Sequence, residues 1–303
     1  MSNRRRSFKA NPFIKWAGGK SQILEEIKKK FPSGLGDRYS QYAEPFIGGG
    51  AVLLEILNNY QLTRIYISDI NRELVHAYKT IRDNVKELIE LLLELEERYL
   101  PANSAERKDI FYQSRDRFNA LKAGSDLTTE LAALFIFLNR TCFNGLYRVN
   151  AKGGFNVPQG RYKNPKICDS ANLLAVSAAL EGVEIVWGDY QLSSAFIDER
   201  TFAYFDPPYR PLSNTANFTS YAKDEFGDQE QIELAHFIDA MRAKGAWVVA
   251  SNSDPKNSDI NDNFFDNLYS KHHISRIEAS RAINSHGDSR GRVREILISP
   301  HEE

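Results

Sequence analysis

A chain of 303 residues is long enough for one large domain or two of ordinary size. Hydrophobic residues at 42% and charged residues at 26% exclude wholesale disorder, and two cysteines exclude a disulfide scaffold. The net charge of −1 hides a segregation: residues 1–30 hold nine Lys or Arg against Glu25 and Glu26, and residues 140–166 hold six with no acid. Residues 271–294 hold six more against Glu278 and Asp288, so the basic stretches point to one positive face for a polyanion. In chain order, Ser21 predicts the N-cap of a helix over 21–30, with Glu25 and Glu26 early and lysines at its end. Residues 42–46 predict a strand that runs into Gly48-Gly49-Gly50, followed by a helix over 51–57 and a strand over 64–68 ending at Asp69. Helices are expected over 73–97, 106–122 and 128–139. Residues 147–149 and 155–157 flank Ala151-Lys152-Gly153-Gly154 as a β-hairpin. Strands at 185–187, 203–205, 246–250 and 295–298, with a helix over 229–244, restore the alternation. Alternation at both ends with helices and a hairpin between predicts a doubly wound α/β domain carrying a helical insertion.

The first crossover is a candidate nucleoside site. Glycines after a strand allow close backbone approach, and a helix start offers free N–H groups. Asp69, 21 residues after Gly48, is placed to accept from ribose hydroxyls. The dinucleotide pattern G-x-G-x-x-G fails because Leu53 stands at its third glycine. A nucleoside without a pyrophosphate, such as S-adenosylmethionine, fits the shortened form; a glycine-rich connection with no ligand is the competing reading. Lys15-Trp16-Ala17-Gly18-Gly19-Lys20 is a second glycine patch, in which Trp16 can wall a pocket and Lys20 can reach a carboxylate.

The turn Asp206-Pro207-Pro208-Tyr209 follows the apolar strand Phe202-Ala203-Tyr204-Phe205, where open α/β sheets place chemistry. An aromatic exocyclic amine is a poor nucleophile because its lone pair is delocalised into the ring. Two acceptors on its two N–H bonds favour a pyramidal nitrogen and free that pair. Asp206 can supply one and the Pro207 carbonyl the other, in a turn stiffened by two prolines that lack N–H. Tyr209 offers a ring on which a base can stack. A base within a duplex reaches such a turn only after flipping out of the stack.

Taken together these segments resemble the Dam-type, D12-class DNA adenine-N6 methyltransferases of the α group. The resemblance runs through Lys15 to Lys20, Glu44 to Gly50, Asp69-Ile70-Asn71, Leu138-Asn139-Arg140, Phe143 to Arg148, Phe155 to Tyr162 and Asp206 to Tyr209. It resumes at Pro211-Leu212-Ser213, Asn217-Phe218-Thr219 and Ser251-Asn252. It implies a Rossmann-like methyltransferase fold with the catalytic domain at 1–70 and 184–303. A target-recognition domain follows at 71–183, with its hairpin at about 143–162. The implied reaction moves a methyl group from S-adenosylmethionine to N6 of adenine in double-stranded DNA, at GATC, on a flipped base. The residues alone leave open cytosine N4, another amino group such as a protein amide, or a catalytically silent DNA-binding relative. Pairing with a restriction nuclease is likewise open.

The expected cofactor residues are Trp16, Lys20, Phe46, Gly48, Gly50, Asp69 and Asp206, and the expected catalytic residues are Asp206, Pro207, Pro208 and Tyr209. Both groups are expected to face one cavity. The resemblance places Arg148 on guanine, Leu146 and Pro158 in apolar base contacts, and Asn144 and Tyr162 in polar or phosphate contacts. Lys15 is expected near DNA, and Phe143 keeps a stacking face where relatives often carry Tyr. No metal is expected: Cys-x-x-Cys, His-Glu-x-x-His and the zinc-deaminase pattern are all missing. Cys142 and Cys168 are expected to be structural, as are His76 and the His272-His273 pair. No membrane span is expected, since the longest apolar run, 131–138, is too short. Arg4, Arg5 and Arg6 are followed by no apolar stretch, so no secretory signal is read there and a cytoplasmic monomer of bacterial or phage origin is expected.

Overall fold

The computed structural model describes residues 9–124, 127–210, 226–280 and 292–301. The Arg4–Arg6 run and the matches at 211–213 and 217–219 lie outside them. The α-helices described are α1 (Leu24–Lys28), α2 (Ala51–Asn59), α3 (Arg72–Tyr99), α4 (Ser104–Ala123), α5 (Thr129–Thr141), α6 (Ser170–Ala179), α7 (Asp228–Ala243) and α8 (Phe264–Leu268). The strands are β1 (Gln41–Glu44), β2 (Arg64–Asp69), β3 (Glu184–Trp187), β4 (Thr201–Phe205), β5 (Trp247–Ser253), β6 (His273–Ser280) and β7 (Arg292–Ser299). The chain forms two compact units, one of residues 1–19, 48–59 and 69–187, the other of residues 20–47, 60–68 and 188–303.

The first unit is helical. In it α3 packs on α5 and α6, and α4 on α5. Leu74, Tyr78, Ile81, Leu88 and Leu92 recur at helical spacing along α3 and are fully buried. The helix starts are set by side-chain caps: Asn71 accepts from Leu74 N, Thr128 from Leu131 N, and Asn103 forms a reciprocal box with Glu106. Helix α6 escapes sequence reading because Ser-Ala-Asn-Leu-Leu-Ala-Val-Ser-Ala-Ala carries little apolar contrast around its circumference. Its start is nonetheless capped by Asp169, which accepts from Asn172 N.

The second unit carries six strands in the order β2-β1-β4-β5-β7-β6. The pairs β1·β2, β1·β4 and β4·β5 are parallel, while β5·β7 and β6·β7 are antiparallel. The all-buried β4, Thr-Phe-Ala-Tyr-Phe, is the apolar run that a strand covered on both faces requires. This is a mixed α/β architecture of the Rossmann-like methyltransferase kind.

Three local expectations change. The segment at 21–30 is a short 3-10 turn at Lys20–Gln22 followed by α1, and Ser21 caps nothing. The cause is tertiary: Lys20 is drawn inward onto Asp206, which shapes the chain ahead of α1. The hairpin is short: it has the antiparallel bridges Val149↔Phe155 and Cys142↔Gln159, with Asn150 N donating to the Gly154 carbonyl and Asn156 N to the Arg148 carbonyl. Side chains reinforce it: Asn150 accepts from Lys152 N and Gly154 N, and Asn119 brackets Phe155 by accepting from its N–H and donating to its carbonyl. Strand β6 escapes sequence reading because only Ile274 and Ile277 are large and apolar in His-Ile-Ser-Arg-Ile-Glu-Ala-Ser.

Candidate active site and nucleic-acid interface

In the first unit the glycine turn and its acid are closely joined. Asp69 Oδ2 accepts from Gly48 N at 3.1 Å and its Oδ1 from Asn71 N at 2.9 Å. Tyr78 closes the other side, donating its hydroxyl to the Gly48 carbonyl at 3.1 Å. Gly48 and Gly50 have φ of 46° and 69°, the left-handed region that disfavours a Cβ. A Cβ on Gly48 would also lie 2.9 Å from Trp16 Cδ1, so Trp16 sits directly against the turn. Burial raises the Asp69 carboxyl above its ordinary range, and the backbone N–H groups of Asn71, Gly48 and Ile70 partly offset that. Ile70, two-thirds exposed beside this acid, is an apolar surface that sequence reading passed over.

Trp16 is itself held from the segment predicted for recognition. Its ring stacks on Tyr147 at 6.1 Å between centroids. The Tyr147 hydroxyl donates to Glu73 Oε2 at 2.7 Å and lies 2.7 Å from Lys122 Nζ, which is 3.1 Å from the same carboxylate. Glu73, Lys122 and Tyr147 therefore lock the ring that packs on Gly48. Their sequence separations of 49 and 74 residues left no signal to find them.

The other predicted recognition residues lie on the same unit. Asn144 has φ 55°, the one non-glycine with positive φ among the described residues. This is a strained position that asparagine tolerates and that functional loops favour. Phe143 is 46% exposed, Leu146 is partly exposed, and Arg148 and Pro158 are exposed. Arg148 Nε donates to Asn156 Oδ1 at 2.8 Å, which orients its guanidinium. Lys15 Nζ lies 3.9 Å from the centre of the Tyr162 ring. Asn139 fixes the Lys15 backbone, accepting from its N–H and donating to its carbonyl, and also donates to the Gly145 carbonyl. Arg140 belongs to no outward charge: it donates twice to the Phe13 carbonyl. Both cysteines are buried, and burial pushes the Cys142 thiol up to about 11.

In the second unit the Asp206 turn leaves the end of β4. Asp206 Oδ1 receives Lys20 Nζ at 2.7 Å and the Ser251 hydroxyl at 2.8 Å. Lys20 is 5% exposed and Asp206 19% exposed. Burial raises the Asp206 carboxyl, and the Lys20 ammonium and Ser251 hydroxyl oppose that rise. The carboxylate that Lys20 meets is thus Asp206. The same ammonium lies 4.7 Å from the centre of the Tyr209 ring. Tyr209 donates its hydroxyl to Glu295 Oε2 at 2.5 Å, and burial raises its pKa strongly. Phe46 stacks on Tyr190 at 5.4 Å and meets Phe226 edge-on at 5.8 Å. Lys20, Asp206 and Tyr209 come together, while Phe46 belongs to this aromatic cluster. The pair His272-His273 divides: His272 is buried between Asp239 and Arg242, and His273 opens β6.

Among the described residues no three His, Cys, Asp or Glu side chains group as metal ligands, and no helix is long and apolar enough to cross a membrane. Residues 16–283 match the family described as D12 class N6 adenine-specific DNA methyltransferase. The chain is 46% identical over 289 residues to the Type II methyltransferase M.MjaIII of Methanocaldococcus jannaschii, covering 95% of this chain and 98% of that one. It is 36% identical over 293 residues to the Type II methyltransferase M1.LlaDCHI of Lactococcus lactis subsp. cremoris, covering 95% and 94%. To the DNA adenine methylase of Escherichia coli K12 it is 34% identical over 289 residues, covering 95% of each. An Asp-Pro-Pro-Tyr turn at a strand end, a glycine turn tied to an acid, and a match over most of the chain agree: this protein belongs to the D12 class of N6 adenine-specific DNA methyltransferases.

Proposed function

We propose that the chain methylates adenine N6 at GATC in double-stranded DNA, on a base flipped out of the duplex. The observation that carries the reading is the largely buried Asp206 carboxylate at the end of β4, held at one oxygen by Lys20 and Ser251 and followed by two prolines. S-adenosylmethionine, when bound, supplies a methyl group on a positively charged sulfur. Residues within each unit suit parts of that molecule. Asp69 is a buried acceptor suited to ribose hydroxyls, exposed Ile70 suits a purine face, and Lys20 is a cation beside the Asp206 turn.

Asp206 and the Pro207 carbonyl would each accept one N–H of the adenine amine. The nitrogen would then pyramidalise and turn its lone pair toward the methyl group, so that an N–C bond forms as the C–S bond breaks and a neutral thioether leaves. A nitrogen that gains a carbon sheds one proton, and the acceptors already in contact guide its departure. Alignment of this kind accounts for much of the barrier lowering, with no strong base required. Tyr209, anchored by Glu295, would present its ring to the base. On the recognition side Arg148 would take guanine O6 and N7 in the major groove. Leu146 and Pro158 would contact base edges, Phe143 would stack, and Asn144, Tyr162 and Lys15 would hold the backbone.

The test supplies methyl-labelled cofactor with matched duplexes that contain or lack GATC, followed by digestion to nucleosides. Label is expected on N6-methyladenine from the GATC duplex alone. Equal label in both duplexes ends the specificity, and label on cytosine ends the choice of base.

A further inference from the structure

Pro207 and Pro208 have no N–H to donate, and among the described residues no backbone hydrogen bond runs from the Tyr209 N–H to the Asp206 carbonyl, the bond that closes an ordinary turn. An amide relay in the same unit supplies the restraint. Gln231, on the first turns of α7 and fully buried, donates its Nε2 to the Pro208 carbonyl at 3.0 Å. Asn252 on β5, also buried, donates its Nδ2 to Gln231 Oε1 at 3.1 Å. Asn252 Oδ1 in turn accepts from Ser253 N at 2.9 Å and from Arg210 N at 3.4 Å. A buried amide with its oxygen already satisfied has one orientation, so Asn252 sets Gln231 and Gln231 sets the Pro208 carbonyl. Among the described residues no hydrogen bond reaches the Pro207 carbonyl.

We propose that Gln231 is a positioning residue for methyl transfer: by taking the Pro208 carbonyl it fixes the turn so that the Pro207 carbonyl and the Asp206 carboxylate form one pair of acceptors for the target amine. This rests on the adenine-methylation reading above. Gln231 touches no reacting atom; it acts through the backbone of the turn. Its effect therefore falls on the rate of the bound complex. DNA and cofactor affinities depend on other residues.

Two full-length variants test it in steady-state methylation of a GATC duplex. Gln231→Met keeps the length and removes the donor. A turn misplaced by a fraction of an ångström to about 1 Å costs on the order of 10- to 100-fold in kcat, with KM for DNA and for S-adenosylmethionine expected within about threefold of wild type. Gln231→Glu replaces the donor with a carboxylate that repels the Pro208 carbonyl, but its protonated form donates again. The ratio of variant to wild-type kcat is therefore expected to rise as pH falls, while a purely structural loss leaves that ratio flat. Thermal melts of both variants report folding, and should Gln231→Met unfold, the pH ratio of the nearly isosteric Gln231→Glu decides alone. Unchanged kcat in Gln231→Met, a KM that rises in step with the loss, or a flat ratio in Gln231→Glu overturns the assignment. Wild-type protein that leaves adenine unmethylated overturns the underlying reading instead, so the two failures are distinct.

Discussion

At the residue scale, Asp206 is the most exacting position. Ionised, it offers acceptors alone and holds an amine N–H more strongly than its neutral form, yet burial raises its pKa. Methylation is therefore expected to lose rate on the acid side at a pH above the usual carboxylate range, as a single limb in kcat against pH. Lys20 opposes the rise, so Lys20→Met should move that limb to still higher pH. The same shift bears on stability. Folded Asp206 binds its proton more tightly than unfolded Asp206, so below the unfolded pKa it imposes no penalty. Its contribution is lost as pH rises through the interval up to the folded value. Asp206→Asn retains an acceptor for Lys20 and Ser251 and should fold, with kcat lowered on the order of 100-fold and duplex binding kept, as measured by parallel turnover and gel-shift assays. A variant with undiminished turnover would remove Asp206 from the mechanism.

Among the elements, the 143–162 segment is a short pairing of two bridges supported by side chains from α3, α4 and α5. Arg107 on α4 donates to the carbonyls of Tyr99, Leu100 and Lys163, pinning the far end of the segment. Glu73 on α3 and Lys122 on α4 hold the Tyr147 hydroxyl. The ring of Tyr147 then stacks on Trp16, which lies against the glycine turn. Tyr147→Phe keeps the stack and deletes the hydroxyl. It leaves the buried Glu73 carboxylate and the partly exposed Lys122 ammonium short of one partner each, at about 1–3 kcal/mol. Urea unfolding should show that loss, and calorimetric titration with S-adenosylmethionine should show affinity weakened severalfold as Trp16 loosens. Unaltered values in both measurements would mean that the phenol is incidental.

For the whole molecule, basic side chains are sorted by role. Arg140 is used internally, whereas Arg148, Lys152, Arg161 and Lys163 are exposed on the first unit. A cation on a phosphate and a cation on a base differ in salt and sequence dependence. Lys152→Ala is expected to weaken all duplexes alike and to lower the slope of log affinity against log salt by about 1. Arg148→Ala should cost about 1–3 kcal/mol at one base position and relax preference there. Binding curves on single-substitution duplexes at several salt concentrations separate the two, and a uniform loss for Arg148→Ala would make it a phosphate contact.

Much was legible from the order of residues, because its causes are local. The glycine turn with its acid, the apolar strand before Asp206-Pro207-Pro208-Tyr209, and the helical periods follow from backbone sterics and hydrophobic spacing, which operate within a few residues. What only the tertiary structure decided depends on groups distant along the chain. Lys20 and Asp206 stand 186 positions apart, so their pairing could not be read in advance. Glu73, Lys122 and Tyr147, and the Asn252–Gln231–Pro208 relay, share that character. A buried polar group must find a partner wherever folding supplies one, and neither composition nor periodicity records which one it will be.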